Sequence, residues 1–322
     1  MPSAVMLRRR LDLYTSAFLP AYPFMTAHFD TVALVGRPQT QGLEATLLAI
    51  SVFLRERKVA CLIEDAVWES CDGLQHLPTA SFEAIAQQAD LVVAVGGDGT
   101  LLGAARQIGA SERPLVGINH GRVGFVTDLT LSNWKELLER ILAGEYRIER
   151  RAMISASVSR EGVSIWSTLA VNDIVVNRSS RAGMIGLEVE VDGQHMYSQR
   201  ADGLIVATPT GSTAYAISVN GPILHPQLSG LVLAPIAPQS LSNRPICLPA
   251  DVRIRIRVIE GREPRVSGDM QVFGDLHIDD DIRIQCAPHA MCLLHPPGYR
   301  YFESLRSKLS WHELPVHEHS PR

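Results

Sequence analysis

Gly96-Gly97-Asp98-Gly99-Thr100 places a carboxylate inside a turn whose composition otherwise suits phosphate. Leu91 to Val95, short, apolar and rich in β-branched residues, predicts a buried parallel strand, and Leu101 through Ala105 and Gln107 predict the helix that follows. Gly96, Gly97 and Gly99 are expected to let the backbone take positive φ and aim its N–H groups at an anion. A carboxylate beside phosphate costs about 4 kcal/mol for unit charges ~4 Å apart at a surface-like dielectric. A cation or a proton transfer would offset that cost, so Asp98 reads as chemistry. The bland alternative is a helix cap acting through Thr100 and Leu101. No Gly-Lys-Ser/Thr occurs in the chain, which excludes a P-loop. Leu102 stands where a dinucleotide fingerprint needs glycine, with Gly103 one place late.

Three further stretches carry polar groups. Asn119-His120-Gly121-Arg122-Val123-Gly124-Phe125 is a second glycine-rich turn after a strand, where His120 and Arg122 could supply positive charge or simply be solvated. Asn172-Asp173 lies within an expected strand from Thr168 to Val176. An amide there can read an adenine edge and a carboxylate can accept from ribose hydroxyls, provided a bulge or strand end brings them together; the alternative is an ordinary turn pair. Thr208-Pro209-Thr210-Gly211-Ser212-Thr213-Ala214-Tyr215 gathers four hydroxyls before an expected helix from Tyr215 to Val219, an N-terminus suited to an oxygen-rich ligand, with Tyr215 able to stack on a base.

The elements that must position these groups follow from hydrophobic period. Thr31 to Val35, Val59 to Ile63 and Leu115 to Ile118 predict strands. Leu43, Leu47, Ile50 and Leu54 give a helical spacing within 41–57, and residues 81–88 and Trp134 to Leu142 predict two more helices. Alternating strands and helices mean an α/β domain with a doubly wound parallel sheet whose ligands sit at strand C-terminal ends. Beyond residue 147 the pattern turns to strand alternation, as in Ile154, Ala156 and Val158 or Leu187, Val189 and Val191, with Asp192-Gly193 as a tight hairpin. The expected organisation is an extension over 1–30, an α/β domain over 31–147, a β-rich domain over 148–293, and a C-terminal helix (Tyr301 to Trp311) with a polar tail over 294–322. The first thirty residues read as a disordered extension or as a misassigned start with Met25 as initiator. Arg253, Arg255 and Arg257 read as the solvated face of a strand, Asp279-Asp280-Asp281 as an acid run at a turn with an outside chance of binding metal, and His312, His317 and His319 as parts of a flexible tail.

At 322 residues and 46% hydrophobic the chain can bury a substantial core, and its net charge of −4 gives no basic excess for nucleic acid. No apolar run approaches the ~20 residues that span a bilayer. Cys61, Cys71, Cys247, Cys286 and Cys292 are odd in number and form no C-x-x-C pair, which argues for a reducing compartment, the cytosol, and against structural zinc.

Taken together, the Gly96 to Thr100 turn, Gly117-Ile118-Asn119 to Gly124-Phe125, Asn172-Asp173, and Asp202-Gly203 followed by Thr208 to Tyr215 closely resemble the NAD kinase family, from about residue 31 to 311. The resemblance implies transfer of the ATP γ-phosphoryl to the 2′-hydroxyl of the adenosine ribose of NAD, with Mg²⁺ or another divalent cation on the nucleotide. It implies Asp98 as proton acceptor and Gly99 with neighbouring amides on nucleotide phosphate. It places Asn172, Asp173, Thr213, Ala214 and Tyr215 against adenine and ribose, and Arg200 and Asp202 along the site. Gly97, Thr100, Asn119, Arg122, Thr210 and Ser218 complete the implied binding set, and a homodimer or homotetramer is implied too. As a departure, the stretch after the Asn-acid pair reads Arg181-Ala182-Gly183 where many members carry a His or Arg. A lipid kinase of the diacylglycerol or sphingoid type shares the glycine turn, and a non-catalytic NAD sensor could share the binding loops; the sensor would have no need of Asp98.

Overall fold

The computed structural model describes residues 29–121, 124–179 and 183–309. The expected extension, apart from its last two residues, Arg122, Arg181 and the three histidines of the tail lie outside the described residues. The chain divides into two compact units: 29–101, 115–148 and 294–309 form an α/β unit, and 102–114 with 149–293 form a β unit.

In the α/β unit, β1 (Thr31–Gly36), β2 (Ala60–Glu64), β3 (Thr79–Ala80), β4 (Leu91–Gly96) and β5 (Leu115–Asn119) pair in the order β3-β2-β1-β4-β5, all parallel, with β6 (Leu129–Thr130) parallel to β5. Every residue of β4 is buried, as expected of a strand covered on both faces. Each such Val or Leu contributes about 1.5–3 kcal/mol, so a charge placed in β4 would remove the unit's core. The helices are α1 (Leu43–Glu56), α2 (Asp65–Ser70), α3 (Phe82–Gln88), the first turn of α4 (Asp98–Ile108) and α5 (Trp134–Leu142). Helix α1 buries Leu43, Leu47, Ile50 and Leu54, the residues whose spacing predicted it, and begins after Gly42 at φ 79°. Helix α4 starts at Asp98, three residues before its expected start, and the boundary between the units falls inside it, after Leu101.

The β unit is a two-sheet structure. One sheet runs β11 (Gln194–Ala201), β10 (Ile185–Val191), β15 (Ile254–Glu260), β18 (Asp281–His295), with β7 (Arg147–Arg160) pairing both β18 and β8 (Val163–Ala170). The other runs β14 (Ile246–Pro249), β13 (Gly230–Ile236), β12 (Gly203–Ala207), β9 (Asp173–Arg178), β16 (Pro264–Gly268), β17 (Val272–Asp275), antiparallel throughout. Ile174, Val176, Leu204 and Val206 face Ile154, Leu187, Ile256 and Ile284 in a shared core, while the alternate residues Val175, Ile205 and Ala207 bury the other face beneath the single turn α6 (Tyr215–Ser218). Asp192 and Gly193, at φ 51° and 77°, make the two-residue hairpin between β10 and β11. The last helix, α7 (Tyr301–Leu309), belongs to the α/β unit.

The expected strand over Thr168 to Val176 is two strands: β8 ends at Ala170 and β9 begins at Asp173. Nor is the arginine row merely solvated. Arg255 bonds Asp281 at 2.7 Å and Glu190 at 3.1 Å, and Arg257 bonds Glu188 at 2.8 Å, so the face is a ladder of cross-strand ion pairs. The same pairing accounts for the acid run: Asp280, wholly buried, takes Arg160 at 2.8 Å and the His277 N–H at 2.7 Å.

Candidate active site

Strands β1, β4 and β5 end side by side, and the glycine turn leaves the C-terminal end of β4. None of Gly96, Gly97 and Gly99 has positive φ, against the expectation. Gly96 is instead needed for proximity: a Cβ there would lie 2.3 Å from Thr100 Oγ1. The half-buried Asp98 carboxylate turns away from its own helix end to the loop after β5. Oδ1 accepts from Val126 N–H at 3.0 Å, Thr127 N–H at 3.2 Å and Thr127 Oγ1 at 3.2 Å, and Oδ2 accepts from Phe125 N–H. A Cβ on Gly124 would sit 2.0 Å from Oδ1, so this approach requires glycine. Asn119, buried, braces the same loop by donating to Thr127 Oγ1 at 3.1 Å and accepting Gly121 N–H at 2.8 Å. His120 Nε2 lies 3.1 Å from Thr46 Oγ1.

This arrangement corrects one sequence argument. The charge of Asp98 is offset by three amides and a hydroxyl, so its presence in the turn requires neither a cation nor a proton transfer. It is also not a helix cap. A carboxylate offers about four lone-pair positions; among the described residues Oδ1 takes three donors and Oδ2 one. The helix-end ammonium of Lys308 acts on Asp98 and Asp128 electrostatically, opposing the burial that lowers its own pKa.

In the β unit the strand break puts Asn172 and Asp173 together. Thr208 crosses behind them: its N–H donates to Asn172 O at 2.8 Å and its Oγ1 to Val171 O at 2.5 Å. Gly211 packs so closely that a Cβ would lie 2.0 Å from Asn172 O. Three of the four hydroxyls expected to meet a ligand serve the loop itself, Thr208 Oγ1 as above, Ser212 Oγ donating to Pro209 O at 2.6 Å and Thr213 Oγ1 to Thr210 O at 3.0 Å. The expected helix N-terminus shrinks to the four residues of α6, too short to serve as an anion site. Tyr215 opens that turn, half-buried, and its amide favours the charged Asp173.

The Asp173 carboxyl is pushed up to about 7, first by burial and then by the neighbouring charge of Asp269, against the Tyr215 amide. Asn172 Oδ1 and Asp173 Oδ1 are buried with no donor among the described residues. Buried polar atoms are rarely left so, and two adjacent ones mark a place for a ligand's N–H or O–H groups. Asp269 holds the pair from behind, its carboxylate taking the N–H of Val171 (3.1 Å), Asn172 (2.7 Å) and Asp173 (3.2 Å) and Arg106 Nη1 (2.6 Å).

Asp269 and Arg106 escaped the sequence reading, and so did the amides of 125–127; Asp269 directly follows β16, in the short connection to β17, where no local pattern marks it. Among the other expected site residues, Arg200 is exposed and paired with Glu260 at 3.1 Å, Asp202 is paired with Arg178 at 2.7 Å, Thr210 is buried, Ala214 is half-buried and Ser218 exposed.

A doubly wound parallel unit with an acid-bearing glycine turn, joined in one chain to a β unit with orphaned nucleoside-type acceptors, defines a nucleotide-handling α/β-plus-β protein. Comparison narrows the class. The ATP-NAD kinase N-terminal domain profile matches residues 34–146 and the C-terminal domain profile residues 171–295. An NAD kinase of Paraburkholderia phytofirmans is 48% identical over 295 residues, covering 91% of this chain and 98% of that protein, and one of Burkholderia pseudomallei is 48% identical over 90% and 96%. An Archaeoglobus fulgidus NAD kinase solved in complex with ATP superposes with a TM-score of 0.67 at 26% identity, covering 87% of this chain and 98% of that one. Yeast NADH kinase complexed with NADH shares the fold, with a TM-score of 0.81 at 24% identity over 89% of each chain. The chain belongs to the NAD kinase family and is a kinase.

Proposed function

We propose that the chain transfers the γ-phosphoryl of ATP to the 2′-hydroxyl of the adenosine ribose of NAD, giving NADP, with Asp98 as the group that takes the hydroxyl proton. A ribose hydroxyl is a poor nucleophile at neutral pH, and a carboxylate within hydrogen-bond reach can accept its proton as the bond to phosphorus forms. The remaining lone pair on Oδ2 suits that role. Asn172 and Asp173 supply acceptors for the adenine amino group and ribose hydroxyls, Tyr215 supplies an aromatic face, and Thr210, Thr213, Ala214 and Ser218 line the adjoining loop. Gly97, Gly99, Thr100 and Asn119 border the phosphates, with Arg200 and Asp202 further along. Among the described residues no three His, Cys, Asp or Glu side chains converge as a metal cage. By family resemblance a divalent cation, Mg²⁺, is carried on the nucleotide phosphates, where it neutralises charge. Family resemblance likewise supports a cytoplasmic homodimer or homotetramer; among the described residues no helix is long and apolar enough to cross a membrane.

The observation that carries this reading is the pair of buried, donor-less oxygens on Asn172 and Asp173. An apolar lipid would leave both unsatisfied, which disfavours a lipid kinase. Incubation with ATP, Mg²⁺ and NAD tests the proposal: NADP is expected, whereas NAD binding without turnover would make the chain a sensor and refute it.

A further inference from the structure

Asn172 and Asp173 are only as well placed as the backbone that carries them, and that backbone leaves β8 and enters β9 through a break rather than a ladder. Thr208 holds its carbonyls, and a single ion pair holds its N–H groups. Asp269, with no exposed side-chain surface, accepts the N–H groups of Val171, Asn172 and Asp173 in succession, and returns its own N–H to Asp173 O at 2.9 Å. Asp269 and Met270 both hold left-handed φ, 48° and 53°, a conformation that non-glycine residues keep only when their surroundings over-determine it. Arg106, one-tenth exposed, closes the arrangement: Nη1 bonds Asp269 and Nη2 bonds Gln271, one fork spanning both sides of the strained pair.

We infer that Arg106 and Asp269 are positioning residues for the NAD-side substrate: a latch that holds the acceptor oxygens of Asn172 and Asp173 where a nucleoside meets them, without touching it. The latch rests on the reading of that pair as nucleoside contacts. It also resolves a charge problem. Two carboxylates, Asp173 and Asp269, are buried together, and Arg106 offsets the one that is permanently paired, leaving Asp173 to answer to the ligand.

The test is equilibrium binding to the full chain, by calorimetry, of NAD and separately of ATP. Arg106→Gln is expected to weaken NAD binding roughly 10- to 100-fold, as for loss of a charge-assisted bond, and to leave ATP binding within about twofold. Arg106→Lys, which restores charge without the fork, should fall between. Coupling separates positioning from general loosening: in an Asp173→Ala background Arg106→Gln should add less than about twofold. Asp269→Asn, which keeps one acceptor oxygen, gives the same readout if Arg106→Gln does not fold. Equal losses for NAD and ATP, full additivity with Asp173→Ala, or unchanged NAD binding in a folded variant would overturn the latch. Unchanged NAD binding in Asp173→Ala alone would instead overturn the nucleoside reading beneath it.

Discussion

Asp98 and Asp269 are held by the same device, each carboxylate closing on three consecutive backbone amides, those of Phe125, Val126 and Thr127 for the first and of Val171, Asn172 and Asp173 for the second. Their fourth partners differ. Asp98 takes the neutral hydroxyl of Thr127 and stays half-exposed, whereas Asp269 takes the guanidinium of Arg106 and is sealed. Under the proposed function, a carboxylate paired with a buried arginine serves structure, whereas one held by amides and a hydroxyl is the one left to meet a substrate proton. The contrast supports different roles for the two acids under that proposal, a distinction that residue type alone does not suggest, since both follow a glycine.

The contrast can be broken at either end. Asp98→Asn should lose ~10² to 10⁴ in kcat while binding NAD normally, measured by NADP formation and calorimetry; near-normal turnover would put Asp98 in the same structural class as Asp269. Asp269→Ala should instead act on folding, by about 3–5 kcal/mol, because it strands a buried arginine. Denaturant titration should show a smaller loss, about 1–3 kcal/mol, for Asp98→Ala, which strands amides but no buried charge. Asp173 sharpens the picture through pH. Its folded value of about 7 lies above its ordinary 3.8, so the folded chain binds a proton the unfolded chain has released, and stability falls as pH rises between those values. Asp173→Asn should abolish that slope and be more stable than the parent at pH 8, by on the order of a few kcal/mol; thermal melts from pH 5 to 8 that run parallel would contradict it. The smallest effect is expected from Tyr215→Ala, a rise of roughly 3- to 10-fold in KM for NAD with kcat little changed. A fall in kcat at constant KM would move the ring away from the base.

Much of the frame was legible because it depends on local period and turn chemistry. Leu43, Leu47, Ile50 and Leu54 announce α1, the apolar run before Gly96 announces β4, and Asp192-Gly193 announces its hairpin. The strand break at Val171 and Asn172 was legible only as one option at a polar pair, a bulge, strand end or turn, because its cause, Asp269, is 96 to 98 residues away. A shorter separation was enough to hide the partners of Asp98, 27 to 29 residues ahead. Sequence placed an acid in a phosphate turn and inferred that only chemistry would tolerate it; long-range amides supply a tolerance that no local pattern records. Hydroxyl counting overlooked a related demand, because Ser212 and Thr213 donate to carbonyls of their own tight loop and Thr208 to that of Val171. What escaped local reading was the set of distant partners that hold these residues.

The central claim is that the free lone pair of Asp98 faces the reacting sugar. A crystal structure of the full chain with NAD bound tests it directly. The account predicts the adenosine 2′-oxygen within hydrogen-bond reach of Asp98 Oδ2, with Oδ1 still closed on Val126 and Thr127. A ribose bound elsewhere, with both Asp98 oxygens facing only the 125–127 loop, would contradict it.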